Sequence, residues 1–255
     1  KLMSWPEIEA IVYGDTSSPQ DILGRHYATG YTLFQTFNPS AQSINVCFNG
    51  EKKKVKMELA DEAGFFAVAV PLKESRNYVY EITYKDSTKK IINDPYLYNP
   101  KMDKSEVLSW NKGTSLHAYK YMGSQFVTID GVDGVRFRVW APNATRVSVV
   151  GNFNNWDGKT NPMILDEETG VFSLFIPNLT GDIKYRYEIL TKGGEENQKN
   201  DPYACGFSVS DNCSVVSKIE DFSWTDEEYM NNRTNSSAVF NVFEIDNSLW
   251  DANGI

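Results

Sequence analysis

Histidine is nearly absent: His26 and His117 are the only two in 255 residues. Neither lies near a serine or cysteine motif, which argues against a catalytic triad. The three cysteines, Cys47, Cys205 and Cys213, are odd in number and lack metal-site spacing, so they are expected to be reduced and structural, with no metal centre. Basic charge is also short: 25 Lys and Arg stand against 34 Asp and Glu, a formal net charge of -9. Such a surface repels phosphate backbones, and beyond the lysines at 52–54 there is no basic cluster, so nucleic acid is not an expected partner. No apolar run approaches the roughly 18 residues of a spanning helix, and the N-terminus lacks the basic-then-apolar pattern of a signal peptide. A membrane is therefore not expected, and the cytoplasm is the default location. There is no Walker loop; "GVDG" at 131–134 precedes a strand, where a hairpin turn explains it. Carboxylate pairs such as Glu167 with Glu168 or Asp226 with Glu227 fall in turn or helix-start contexts and read as solvated surface. Neither catalytic residues nor a cofactor are expected.

What the chain does have is apolar and aromatic content, 41% and 13%, enough for packed cores and outside the disordered range. It also repeats itself. "GFFAVAVP", "YVYEI" and "NDPY" in residues 64–96 are answered in the same order by "GVFSLFIP", "YRYEI" and "NDPY" in residues 170–203. Pro71 and Pro177 lie 106 apart, Asp94 and Asp201 107 apart. A period that long means duplicated domains of about 100 residues, since solenoid repeats run roughly 20 to 50.

Within the second copy, "VRFRVWAP" at 135–142 and "RVSVVGNF" at 146–153 alternate apolar and polar residues, as half-buried strands do. "GVFSLFIP" and "IKYRYEIL" continue the series, with Pro142, Asn161–Pro162, Gly170 and the Gly193–Gly194 pair as turns. The first copy follows with "TLFQTFNP", "SINVCFNG", "KVKMEL", "FFAVAVP" and "YVYEITY", then a turn at 85–90. The expected fold is all-β, two tandem immunoglobulin-like sandwiches. Expected boundaries are an N-terminal extension at 1–20, sandwiches at 21–100 and 124–222, and a tail at 223–255. The linker at 101–123 carries Leu108, Trp110, Leu116, Tyr119, Tyr121 and Met122, which predicts that it packs between the domains. In the tail, Thr225 and Glu228 are spaced as a capping box for a short helix at 224–233, and "AVFNVFEI" at 238–245 reads as one strand.

The distinctive local sequence is "GNFNNW" at 151–156, a strand end followed by amides and a tryptophan. An indole offers a flat apolar face to a pyranose ring, while Asn154 and Asn155 can donate to and accept from hydroxyls. The other reading is that Trp156 plugs one end of its own sandwich; residue identity leaves both open.

Together, "GNFNNW", "GVRFRVWAPNATRVSVV", "YRYEI" and "KNDPYA" resemble the glycogen- and starch-binding module found beside α-amylase-type barrels, carbohydrate-binding module family 48. More narrowly, the chain resembles the N-terminal region of 1,4-α-glucan branching enzymes. "DPYLYNP" and then "YKYMGSQFVTIDGVDGVRFRVWAPNA" are similar to that family's passage from its first sandwich to its second. "FSWTDEEYMNNR" and "VFNVFEIDNSLW" resemble its entry into the first strand of a (β/α)8 barrel, although Asp246 stands where the family has His. The resemblance implies a glucan site with Trp156 as stacking platform, Asn154 and Asn155 beside it, and Arg186 in place of a strand lysine. A second platform, where the family has one, falls on Gln198 here; the first copy has no counterpart of Trp156. It implies α-1,4-glucan as ligand and a catalytic barrel in cis, absent from this chain, which is expected to be non-catalytic alone. A competing expectation is a docking sandwich that binds a protein and no sugar.

Overall fold

The computed structural model describes residues 4–52, 54–71, 77–217, 223–233 and 244. In the first sandwich the strands are β1 (Gly24–Ala28), β2 (Tyr31–Phe37), β3 (Ala41–Phe48), β4 (Lys54–Lys56), β5 (Glu58–Asp61), β6 (Phe65–Val70), β7 (Tyr78–Tyr84) and β8 (Lys89–Ile92). Sheets ordered β1-β2-β6-β5 and β4-β3-β7-β8 close on a core that includes Phe34, Phe66, Ile44, Val46 and Ile82. "KVKMEL", read above as one strand, is two. β4 pairs with β3 while β5 pairs with β6, and the chain changes sheets at Met57, which is buried. Crossing the edge there inserts an apolar side chain between the layers, a normal way to turn a sandwich corner.

The second sandwich uses β9 (Gly123–Ile129), β10 (Val132–Trp140), β11 (Ala144–Gly151), β12 (Ile164–Asp166), β13 (Val171–Pro177), β14 (Lys184–Thr191), β15 (Glu196–Lys199), β16 (Gly206–Ser208) and β17 (Cys213–Val215). One sheet runs β12-β13-β10-β9, the other β11-β14-β17-β16 with β15 also on β14. Val135, Phe137, Val139, Val147, Val149, Phe172, Leu174, Tyr185 and Tyr187 meet inside. The hairpin expected at "GVDG" turns one residue earlier: Asp130 and Gly131 take φ of 50° and 77°, the left-handed pair that suits a tight turn, and Val132, Asp133 and Gly134 already belong to β10.

The extension forms α1 (Trp5–Val12), started by Pro6 and presenting Ile8, Ile11 and Val12 at helical spacing. That stripe packs on Phe37, Phe65 and Ala67, which alternate with the core-facing residues of β2 and β6. The chain then reaches the second sandwich, where Leu165 N donates to Ser17 O at 2.9 Å and Gly14 lies against Arg146.

The linker is packed, and its contacts fall on the second sandwich. α2 (Lys104–Asn111) opens with a capping box between Asp103 and Glu106. Arg138 on β10, 2% exposed, donates to Glu106 Oε2, Pro100 O, Lys101 O and Tyr121 O, and Trp110 meets Trp140 edge to face at 6.5 Å.

Residues 1–218 form one compact unit and 219–255 another. In the second, α3 (Glu227–Asn232) is present without the expected Thr225–Glu228 capping box. Its N-cap is Asp226, with φ -103° and ψ 15°, outside the extended conformation that swings a side-chain oxygen onto the first-turn N–H groups. The expected strand at 238–245 lies outside the described residues apart from Glu244.

Candidate functional site

β11 pairs with β14 so that Ser148 opposes Glu188 and Val150 opposes Arg186. Alternation sends Val147 and Val149 into the core and these residues to the outer face. The loop leaving β11 covers that face. Phe153 turns inward and stacks on Phe137 with centroids 6.2 Å apart, so the aromatic at the end of the core is Phe153, not Trp156.

Asn154 builds the loop. Its Oδ1 accepts from Gly151 N at 2.8 Å, and its Nδ2 donates to Val149 O at 2.9 Å and Asn161 Oδ1 at 2.8 Å. With both donor hydrogens used, its amide serves backbone geometry, and the expectation of Asn154 as a sugar donor does not fit this arrangement. Asn155 and Trp156 follow with φ of 56° and 60°, two successive left-handed residues that reverse the chain. Strain of that kind, in an asparagine and then a bulky residue, is retained only where surroundings enforce it. Gly158 closes the turn against β14: a Cβ there would sit 1.7 Å from Glu188 Oε1. Beneath it, buried Arg146 donates to Gly158 O at 2.7 Å and pairs with Glu188 and Glu196 at 3.1 and 2.9 Å.

The result places Trp156, half-buried, with its ring centroid 5.9 Å from the Arg186 guanidinium carbon. Arg186 is fixed from its other side: Nε donates to Asn212 O at 3.1 Å, and Nη2 donates to Asp211 O at 3.0 Å and Asn212 O at 2.5 Å. Its Nη1 makes no hydrogen bond to the described residues. Lys184, next on the same face, pairs with Asp211 at 2.8 Å; that contact, helped by Ser208 and Ser210, holds the Asp211 carboxyl down at about 2. Asn155 is exposed, and Gln198 lies on exposed β15 opposite Glu188. The face therefore offers one aromatic platform and a guanidinium edge without a partner among the described residues, with neighbouring charges paired.

Residues 4–96 match the family model for the alpha-1,4-glucan branching enzyme GlgB N-terminal domain, and residues 122–204 match carbohydrate-binding module 48 (isoamylase N-terminal domain). The chain is 34% identical over 247 residues to 1,4-alpha-glucan branching enzyme GlgB 2 of Rhizobium johnstonii, covering 94% of this chain and 33% of that protein. It is 35% identical over 256 residues to the GlgB of Paramagnetospirillum magneticum, covering 98% and 34%. The chain belongs with the N-terminal regions of 1,4-alpha-glucan branching enzymes. It spans about a third of the length of the curated relatives it matches. Among solved structures, the pullulanase of Anoxybacillus sp. LM18-11 in complex with maltotetraose aligns at 14% identity and TM-score 0.34, over 77% of this chain and 26% of that chain.

In this branching-enzyme region the "NDPY" repeat proves to be a buried polar device, present twice. Asp94 Oδ2 accepts from Tyr78 and Tyr80 hydroxyls at 2.6 and 3.1 Å while Oδ1 accepts from Tyr96 N at 2.9 Å. Asp201 Oδ2 accepts from Tyr185 and Tyr187 at 2.6 and 3.1 Å, and Oδ1 from Tyr203 N at 2.8 Å. Burial pushes both carboxyls above the usual range, with the donors opposing it, and pushes all four hydroxyls far above theirs. Gly24 and Gly123, at φ 94° and 78°, let the chain pass over each device, where a Cβ would lie 3.1 Å from Tyr96 Cβ or 2.8 Å from Tyr203 O. The signal was legible as a repeat; that its polar residues meet in the core was not.

Proposed function

We propose that this region binds α-1,4-glucan on the loop at 151–158 and holds it for a catalytic barrel carried in cis. The observation that carries this reading is Trp156, kept out of the core, strained, half-buried and backed by Arg186 on the outer sheet face, in the stretch that matches a carbohydrate-binding module. Trp156 is the stacking platform, Arg186 Nη1 meets hydroxyls, and Asn154 positions the loop. One platform supports millimolar binding, about 4 kcal/mol, and tethering to a barrel raises effective affinity roughly 10²- to 10⁴-fold. The complete enzyme would cut an α-1,4 link and rejoin the released segment through an α-1,6 bond, with its catalytic groups on the barrel.

Retardation in native gels containing glycogen or amylopectin tests this. Trp156→Gly suits the φ of 60°, so it should leave the melting temperature within a few degrees and remove retardation. Equal retardation of wild type and variant would move the sugar site elsewhere. If neither is retarded, glucan binding by this chain is wrong.

A further inference from the structure

The loop at 151–162 has a second side. Its Asn152, Asn154, Asn155 and Asn161, but not Trp156, form one wall of a cleft of about 970 Å³ between the sandwiches. Its other wall is the first copy, including Asn38, Tyr84 and Asn93, with Asn178 after β13 at the end. Both sandwiches belong to the same compact unit, joined beside the cleft where Tyr96 Oη donates to Pro162 O at 2.9 Å.

The chemistry of this lining is unusual in one respect: seven asparagines line a single cleft. Asn38, Asn152, Asn154 and Asn161 are engaged with neighbouring protein groups, whereas Asn93, Asn155 and Asn178 make no side-chain hydrogen bond to the described residues. The lining charges are few: Lys85 donates to Pro39 O, Asp86 accepts from Thr88, and Lys90 lies 5.8 Å from the Tyr84 ring. A neutral wall of groups that both donate and accept, with half-buried Tyr84 and Phe153 as aromatic surface, matches an uncharged polyhydroxyl chain better than an anion or an apolar molecule.

We infer that this cleft is a second glucan subsite, in which the divergent first copy supplies one wall and the module's loop the other. The inference rests on the glucan-binding reading above, because the same loop serves both faces. It gives the first copy a ligand-binding role despite its lack of a Trp156 counterpart.

The test is an amide chemical-shift titration of the full chain with maltoheptaose, repeated on Trp156→Gly, Asn93→Ala and Asn178→Gly. Asn178 has φ 57°, so glycine removes its amide without straining the backbone. Two groups of shifts are expected, one at 156–157 and 186, the other at 38–40, 84–93 and 178. The second group should survive Trp156→Gly, and each asparagine variant should weaken it roughly 2- to 10-fold, the range of one net hydrogen bond. Shifts confined to the Trp156 face, or cleft shifts that vanish in Trp156→Gly, overturn the second subsite and leave the first standing. Cleft shifts untouched by both asparagine changes also overturn it. Absence of shifts anywhere sinks both.

Discussion

The tyrosines around Asp94 and Asp201 tie stability to alkaline pH. Burial raises the folded-state pKa of Tyr78, Tyr80, Tyr185 and Tyr187 above the unfolded value near 10. Their contribution is therefore fully present below about pH 10 and is lost above it, at about 1.4 kcal/mol per tyrosine per pH unit. Thermal melts from pH 8 to 11.5 should show a steep loss beginning near pH 10, and the absorbance of tyrosinate from these four should appear only with unfolding. Ionisation of all tyrosines in a still-folded protein would contradict the burial argument. Gly158 makes a sharper case. Gly158→Ala must push Glu188 or the loop aside, and is expected to cost about 1–3 kcal/mol. Because the same loop carries Trp156, glycogen retardation should fall as well.

Elements with strong apolar alternation, β2, β6, β10, β11, β13 and β14, were legible, because each places one face on a core. β15 was not: its Glu196 to Lys199 are exposed throughout, so no burial pattern marks them. α1 was hidden for a different reason. Its stripe is only Ile8, Ile11 and Val12, and what makes it a helix in place is the apolar outer face of β2 and β6. Ile11→Ala should therefore destabilise by about 2–4 kcal/mol in urea unfolding, far more than an exposed helix position would. An unchanged midpoint would mean that the helix is not docked. Likewise Asp103→Ala, which removes both first-turn bonds of α2, is expected to cost about 1 kcal/mol.

At the scale of the molecule, the two sandwiches share a boundary instead of hanging on a linker. Tyr96 bonds to Pro162 O, Tyr98 meets Phe175 edge to face at 5.1 Å, and residues 14–17 reach from the first sandwich's helix to Leu165 and Arg146 of the second. Calorimetry of the chain should accordingly show the sandwiches melting in a single transition. Two resolved transitions for them would mean that these contacts are too weak to couple the copies, and that the cleft between them is not a fixed feature.

By itself the sequence determined the all-β class, the duplication and the family resemblance, because period-two burial and repeated turn chemistry are local and survive in a linear string. It also singled out Trp156 and Arg186. Which aromatic enters the core and which stays outside was decided only by tertiary structure: Phe153 stacks on Phe137 while Trp156 is turned out over Arg186. The same holds for Asn154, indistinguishable from Asn155 by type, whose amide is consumed by Val149 O, Asn161 and Gly151 N. Partners far apart in sequence, as for Phe153 and Trp156, are set by how sheets pack, and the near ones of Asn154 by how its loop closes; no pattern of residue types encodes either choice.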